Sequence, residues 1–168
     1  MSESLRTMTP MVVVFALLIG LMTWGFDALL ERRDNPNLAL VAGAGAPTTV
    51  VLKRNRAGRY VAPGRINGYD VTFLVDTGAD HVAVPMDVAR RIGLPRGQKV
   101  PVGTAGGVTT AYTTRLDTLT LGGLELRDVR GSITPAMTGD EVLLGMSFLR
   151  YVDFSKKGDL LIIEPPSR

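Results

Sequence analysis

The stretch FLVDTGADHVAVP, Phe73 to Pro85, places Asp76, Thr77 and Gly78 directly after an apolar run. A carboxylate can take or give a proton in a reaction when a rigid element holds it still, and a buried strand is such a mount. Thr77 adds a hydroxyl that can brace a loop. Gly78 has no side chain, so a backbone or a ligand can come close. Asp and Gly are also turn formers, and the three letters alone describe a tight turn between two strands equally well. The flanks favour chemistry. Both are apolar, whereas plain turns lie at polar surfaces.

The sequence holds a single Asp-Thr-Gly; Asp117-Thr118 is followed by Leu119. Carboxylate chemistry that needs two such groups would have half of its machinery in one chain. There is no cysteine, which excludes disulfides and thiolate metal sites, and His81 is the sole histidine. No metal site and no cofactor is expected. His81 reads as a solvent-exposed or loop-bonding residue.

The elements that must position Asp76 are short strands with frequent turn signals. YVAPGRI and YDVTFLV flank Asn67-Gly68, a hairpin signature, with Pro63 and Gly64 marking an edge or a bulge in the first strand. Residues 82–84 form a further strand, and Pro85 opens a short helix ending near Gly93. Residues 99–123 read as two long strands around a glycine-rich tip at Gly106-Gly107. A turn at Gly122-Gly123 follows, then a strand from Leu124, the short run VLLG ending at Gly145, a helical turn or two in MSFLRYV, and a last hairpin turning at Lys157-Gly158. This pattern predicts an all-β fold: a small closed barrel with one or two short helices.

Together, Asp76-Thr77-Gly78-Ala79, the glycine-tipped hairpin and the later Leu144-Gly145-Met146-Ser147-Phe148-Leu149 resemble the retropepsin-like aspartic proteases, the single-domain relatives of pepsin. The match is best to their membrane-anchored bacterial branch and spans roughly Tyr60 to Ile163. The resemblance implies an aspartic endopeptidase with a retropepsin-like barrel. It makes Asp76 the catalytic carboxylate, Thr77 part of a grip bracing two active loops, and Gly78 a neighbour of the substrate backbone. Ala79, Asp80, Thr104, Ala105, Gly106 and Gly107 become substrate-binding residues, the last four in a flap. Leu143-Leu144-Gly145 becomes a strand crossing behind the active loop. Since each chain carries one Asp76, the implied enzyme is a homodimer acting on polypeptides.

The chain departs from the pattern after the motif. Asp80-His81 stand where the bacterial branch is expected to carry Thr or Ser, and DTGAD is like the viral enzymes. There the second Asp contacts substrate main chain and pairs with an Arg just after the later glycine. Met146 occupies that place here, and Arg150 is the substitute to examine. Asp80 is either a substrate contact or a satisfied loop carboxylate.

The remaining 58 N-terminal residues read differently. Residues 1–10 form a tail, and Met11 to Phe26 contain no charge. With its flanks this run predicts a transmembrane signal-anchor helix over 11–30, followed by a linker over 31–58 and the protease domain over 59–168. The bacterial inner membrane, with the domain on the periplasmic side, is the expected location. A net charge of +3 without a basic, aromatic-laced face gives no reason to expect nucleic acid. Two other functions fit the same letters: a non-catalytic dimeric peptide-binding β-domain tethered to the membrane, and a purely structural tethered domain.

Overall fold

The computed structural model describes residues 13–23, 34–40, 42–43, 45–104 and 106–167. The chain forms two compact units, Met1–Asp34 and Asn35–Arg168. In the first, residues 13–23 are helical (α1), and their apolar side chains are exposed all round, from Ile19 to Met22. Among the described residues no helix is long and apolar enough to cross a membrane. The tail 1–10 and positions 11–12 and 24–30 of the expected span lie outside the described residues.

The second unit contains β1 (Val50–Lys53), β2 (Val61–Ile66), β3 (Tyr69–Val75), β4 (Val82–Pro85), α2 (Met86–Arg91), β5 (Lys99–Thr104), β6 (Gly107–Leu121), β7 (Leu124–Thr134), β8 (Glu141–Leu144), α3 (Met146–Leu149), β9 (Asp153–Lys157) and β10 (Leu160–Glu164). Seven strands run in the order β2-β3-β8-β4-β7-β6-β5, and β2 returns to β6 through Arg65↔Thr120 and Ile66↔Leu119. That contact closes the sheet into the expected all-β barrel. Phe73, Leu116, Leu119, Ile133, Leu144 and Phe148 fill its interior without solvent exposure.

Closure depends on one small residue. A Cβ on Gly64 would sit 2.5 Å from the Phe73 ring and 2.5 Å from the Thr120 carbonyl oxygen, so only glycine lets β2 approach β6. Pro63 lies where β2 pairs with β3 alone, so its missing N–H breaks no ladder. Asn67 and Gly68 take φ of 51° and 82°, the left-handed pair that a two-residue hairpin turn demands. In α2, Asp87 stands in the first turn and Arg90 and Arg91 in the last, each sign matching the helix dipole.

The decisive feature is the placing of β8. It lies between β3, to which it runs parallel (Val75↔Leu144), and β4, to which it is antiparallel (Ala83↔Leu143). The two strands flanking Asp76-Thr77-Gly78 therefore do not pair with each other. The loop between them is not a hairpin turn.

The expected linker and the domain start at residue 59 need correction. From Asn35 onward the chain packs on the barrel. Asn37 Nδ2 donates to the carbonyls of Lys53 (3.0 Å) and Val61 (2.7 Å), and its Oδ1 accepts the Lys53 N–H (2.8 Å). Gly43 N–H donates to Gly122 O, and Gly123 N–H donates to Pro47 O, both at 2.9 Å. A Cβ on Gly123 would lie 2.3 Å from Ala46 O. β1 then joins β10, which pairs with β9, in a separate three-stranded sheet. Buried asparagines and backbone contacts hold this segment, and neither produces the hydrophobic period that marks a strand or helix in sequence.

Candidate active site

Val75, the last residue of β3, donates its N–H to Tyr60 O (2.9 Å), and Asp76 N–H donates to Leu144 O (3.2 Å). Asp76 is thus tied to β8 at the point where the chain leaves the sheet. Its Oδ1 accepts the Gly78 N–H at 2.9 Å, a local turn made by the carboxylate itself. Among the described residues Oδ2 accepts no hydrogen bond. The half-buried side chain has one oxygen engaged and one available to water or substrate.

The rest of the loop is locked from behind. Ala79 N–H donates to Asp76 O (3.3 Å), and Ala79 O accepts the Met146 N–H (2.8 Å). Gly145 fits beneath it: a Cβ there would lie 2.3 Å from His81 O and 2.6 Å from Ala79 O. Leu143-Leu144-Gly145 therefore occupies the place behind the active loop that the family pattern implies. Ser147 completes the lock. Its buried hydroxyl accepts the Val82 N–H (2.9 Å) and donates to Arg130 O (2.7 Å), joining α3, β4 and β7. The sequence reading missed this role of Ser147. Its letter lies inside the quoted LLGMSFL segment, but the partners are 65 and 17 residues away.

Thr77, Gly78, Asp80 and His81 are exposed on the outer side of the loop, and Ala79 is half-buried. The Thr77 hydroxyl has no hydrogen-bond partner among the described residues. Asp80 has no ion-pair partner among them either. Arg150, the substitute examined for it, donates from Nε to Met146 O at 2.9 Å. Asp80 and Arg150 form no ion pair in the chain, and the Arg150 Nε–H is turned back onto the first residue of α3.

The flap residues stand apart from this assembly. β5 and β6 pair from Lys99↔Tyr112 to Thr104↔Gly107, whereas β7 joins β6 only from Tyr112↔Ile133 onward. Residues 99–111 thus form a hairpin that projects past its neighbour. Thr104 Oγ1 donates to Gly107 O (2.8 Å), Gly107 has φ of 111°, and Val108 is 81% exposed. Thr104, Gly106 and Gly107 sit together at this tip; Ala105 lies outside the described residues.

A half-exposed carboxylate on a loop interlocked by an inserted strand, with a projecting hairpin, can now be set beside known proteins. Residues 62–151 match the family described as "gag-polyprotein putative aspartyl protease". The chain belongs to this family. It is an aspartic endopeptidase of the retropepsin-like kind. A Sinorhizobium protein described as "Uncharacterized protein in cobV 5'region" is 30% identical over 158 residues, covering 88% of this chain and 67% of that one. Among solved structures, a retropepsin-like aspartic protease from Rickettsia conorii aligns with a TM-score of 0.58 at 27% identity, over 73% of this chain and 91% of its own.

Proposed function

We propose that two copies of this chain form the working protease, each contributing Asp76, and that the helix over 11–30 anchors them in a bacterial inner membrane with the catalytic domains on the periplasmic side. The observation that carries the dimer is the lone Asp-Thr-Gly, whose carboxylate is only half-buried and has one oxygen without a hydrogen bond among the described residues. Two carboxylates about 3 Å apart cannot both be charged, so such a pair shares one proton; aspartic proteases are the well-known instance. The charged member takes a proton from water, which attacks the scissile carbonyl. The protonated member supports the carbonyl oxygen and then helps the amine leave.

In this reading Thr77, exposed on the outer side of the loop, braces its counterpart on the second copy. Gly78, Ala79 and Asp80 line the floor of the cleft. The flap tip, Thr104 to Gly107, closes over an extended peptide that binds as an added strand through main-chain hydrogen bonds. The anchor rests on the uncharged run Met11 to Phe26 and on the apolar side chains of α1, exposed all round. Confinement to one surface would raise the effective concentration of the two copies and favour pairing.

The test is cleavage of a denatured protein at mildly acidic pH by the full chain in detergent. Asp76→Asn is expected to lower the rate by about 10³-fold or more. Equal cleavage by the variant would remove the protease mechanism, and peptide binding without cleavage by either form would favour the tethered binding module. Protease accessibility on intact spheroplasts reads the orientation: loss of the domain to added protease supports the periplasmic side, protection the opposite one.

A further inference from the structure

Beside the active loop lies a cavity of about 400 Å³ that the catalytic reading leaves unused. It is lined by His81 at the end of the loop, by the irregular segment Pro95–Gly97, by Thr113–Arg115 on β6 and by Arg130 on β7. Two contacts close its rim: Thr114 Oγ1 donates to Pro95 O (2.8 Å), and Gly97 N–H donates to Thr113 O (2.7 Å). The cavity thus connects the exit of the floor, at His81, with the base of the flap hairpin, at Thr113. In the proposed dimer, a peptide held between floor and flap would leave the cleft past the ends of these two elements, which this cavity joins.

The wall is cationic. Arg115 and Arg130 face each other across the β6–β7 ladder, an arrangement of like charges that costs stability. Asp128 neutralises Arg115. Arg130 has no ion-pair partner among the described residues, nor has Arg96, which lies 5.6 Å over the Tyr112 ring and donates to Met86 Sδ. Two guanidiniums without an ion-pair partner among the described residues, at the edge of a mostly apolar cavity, are a receptor for one carboxylate on a side chain whose methylene stem can lie along the apolar lining.

We propose that this cavity is a distal specificity subsite, in which Arg130, assisted by Arg96, binds an acidic side chain of the substrate several residues from the scissile bond. The proposal rests on the protease reading of the Asp76 loop and adds a substrate class to it. Arg130 is a binding residue here and takes no part in bond cleavage.

The experiment uses the full chain in detergent and two peptide series, identical except for Glu or Gln at one position, scanned from the second to the fifth residue on either side of the cleaved bond. At one position the Glu peptide is expected to be cleaved about 5- to 10-fold better in kcat/KM, mostly through KM, and the ratio should shrink as salt is raised. Arg130→Gln should bring the ratio close to one and Arg96→Gln should reduce it. Arg56→Gln, on the turn after β1, removes the same charge elsewhere and should leave it intact. The same peptides are titrated onto the Asp76→Asn chain by fluorescence anisotropy, which reads the subsite without cleavage. If wild type cleaves nothing but the Glu peptide binds in an Arg130-dependent way, the protease reading fails and the subsite stands. If peptides are cleaved or bound with no Glu preference at any position, or with one that survives Arg130→Gln, the subsite is wrong.

Discussion

The active loop and the flap are made of the same small residues, glycine, threonine and alanine, yet they are held in opposite ways. Residues 76–79 are tied to β8, α3 and their own carboxylate, over a glycine with no room for a methyl group. Among the described residues, the strands of the 99–111 hairpin pair only with each other, and Gly107 has nothing within 4 Å of the place a Cβ would take. The difference lies in partners distant in sequence. A carboxylate that must meet a scissile bond benefits from fixed geometry, whereas a cover that must admit and release a peptide benefits from few contacts. The fold provides both by inserting β8 under one segment and leaving the other beyond the end of β7.

The contrast breaks most readily at glycine. Gly145→Ala drives a methyl group into the carbonyls of His81 and Ala79 and is expected to cost about 3 kcal/mol in urea unfolding, with activity lost alongside. Gly107→Ala meets open space and faces only its positive φ, so about 1 kcal/mol is expected, with a few-fold loss in kcat/KM as the main consequence. Equal costs for the two would show that the loop is no more tightly held than the flap.

Ser147→Ala sharpens the same point without adding bulk. It orphans the buried Val82 N–H and removes the donor to Arg130 O, for an expected loss of about 1–3 kcal/mol and faster hydrogen exchange at Val82. Exchange at Val108, on the flap, should not change.

The smallest effect lies outside both segments. The exposed Asp153 carboxylate accepts hydrogen bonds from the Ser167 hydroxyl (2.5 Å) and the Ser167 N–H (2.7 Å), which hold its pKa below the usual value. A lowered folded-state pKa stabilises above the unfolded value of about 3.9, and that contribution fades as pH falls through the folded value. Asp153→Asn should therefore lower Tm slightly near neutral pH, and the difference from wild type should shrink as pH falls below the unfolded value of about 3.9. A larger drop in acid would contradict the assignment.

Local chemistry was legible in the letters. Asn67-Gly68 announced its turn because only residues tolerant of positive φ suit it, and the hairpin tip and last turn were readable for the same reason. The insertion of β8 came from family resemblance, since no local period says which strands will be neighbours. The Asn35–Thr49 segment was misread as a tether because side-chain amides and glycine contacts hold it. Whether Asp80 pairs with Arg150 stayed open in the letters, because the answer depends on one turn of helix that brings the Arg150 Nε–H to Met146 O.

Subunit mixing tests most directly whether the site is completed by a second copy. Wild-type chain is co-refolded with about a threefold excess of Asp76→Asn chain, and cleavage is measured per wild-type molecule. Random pairing leaves about one wild-type chain in four with a wild-type partner, so specific activity should fall to about a quarter. Specific activity that does not change with added variant would mean that a single chain carries its own complete site.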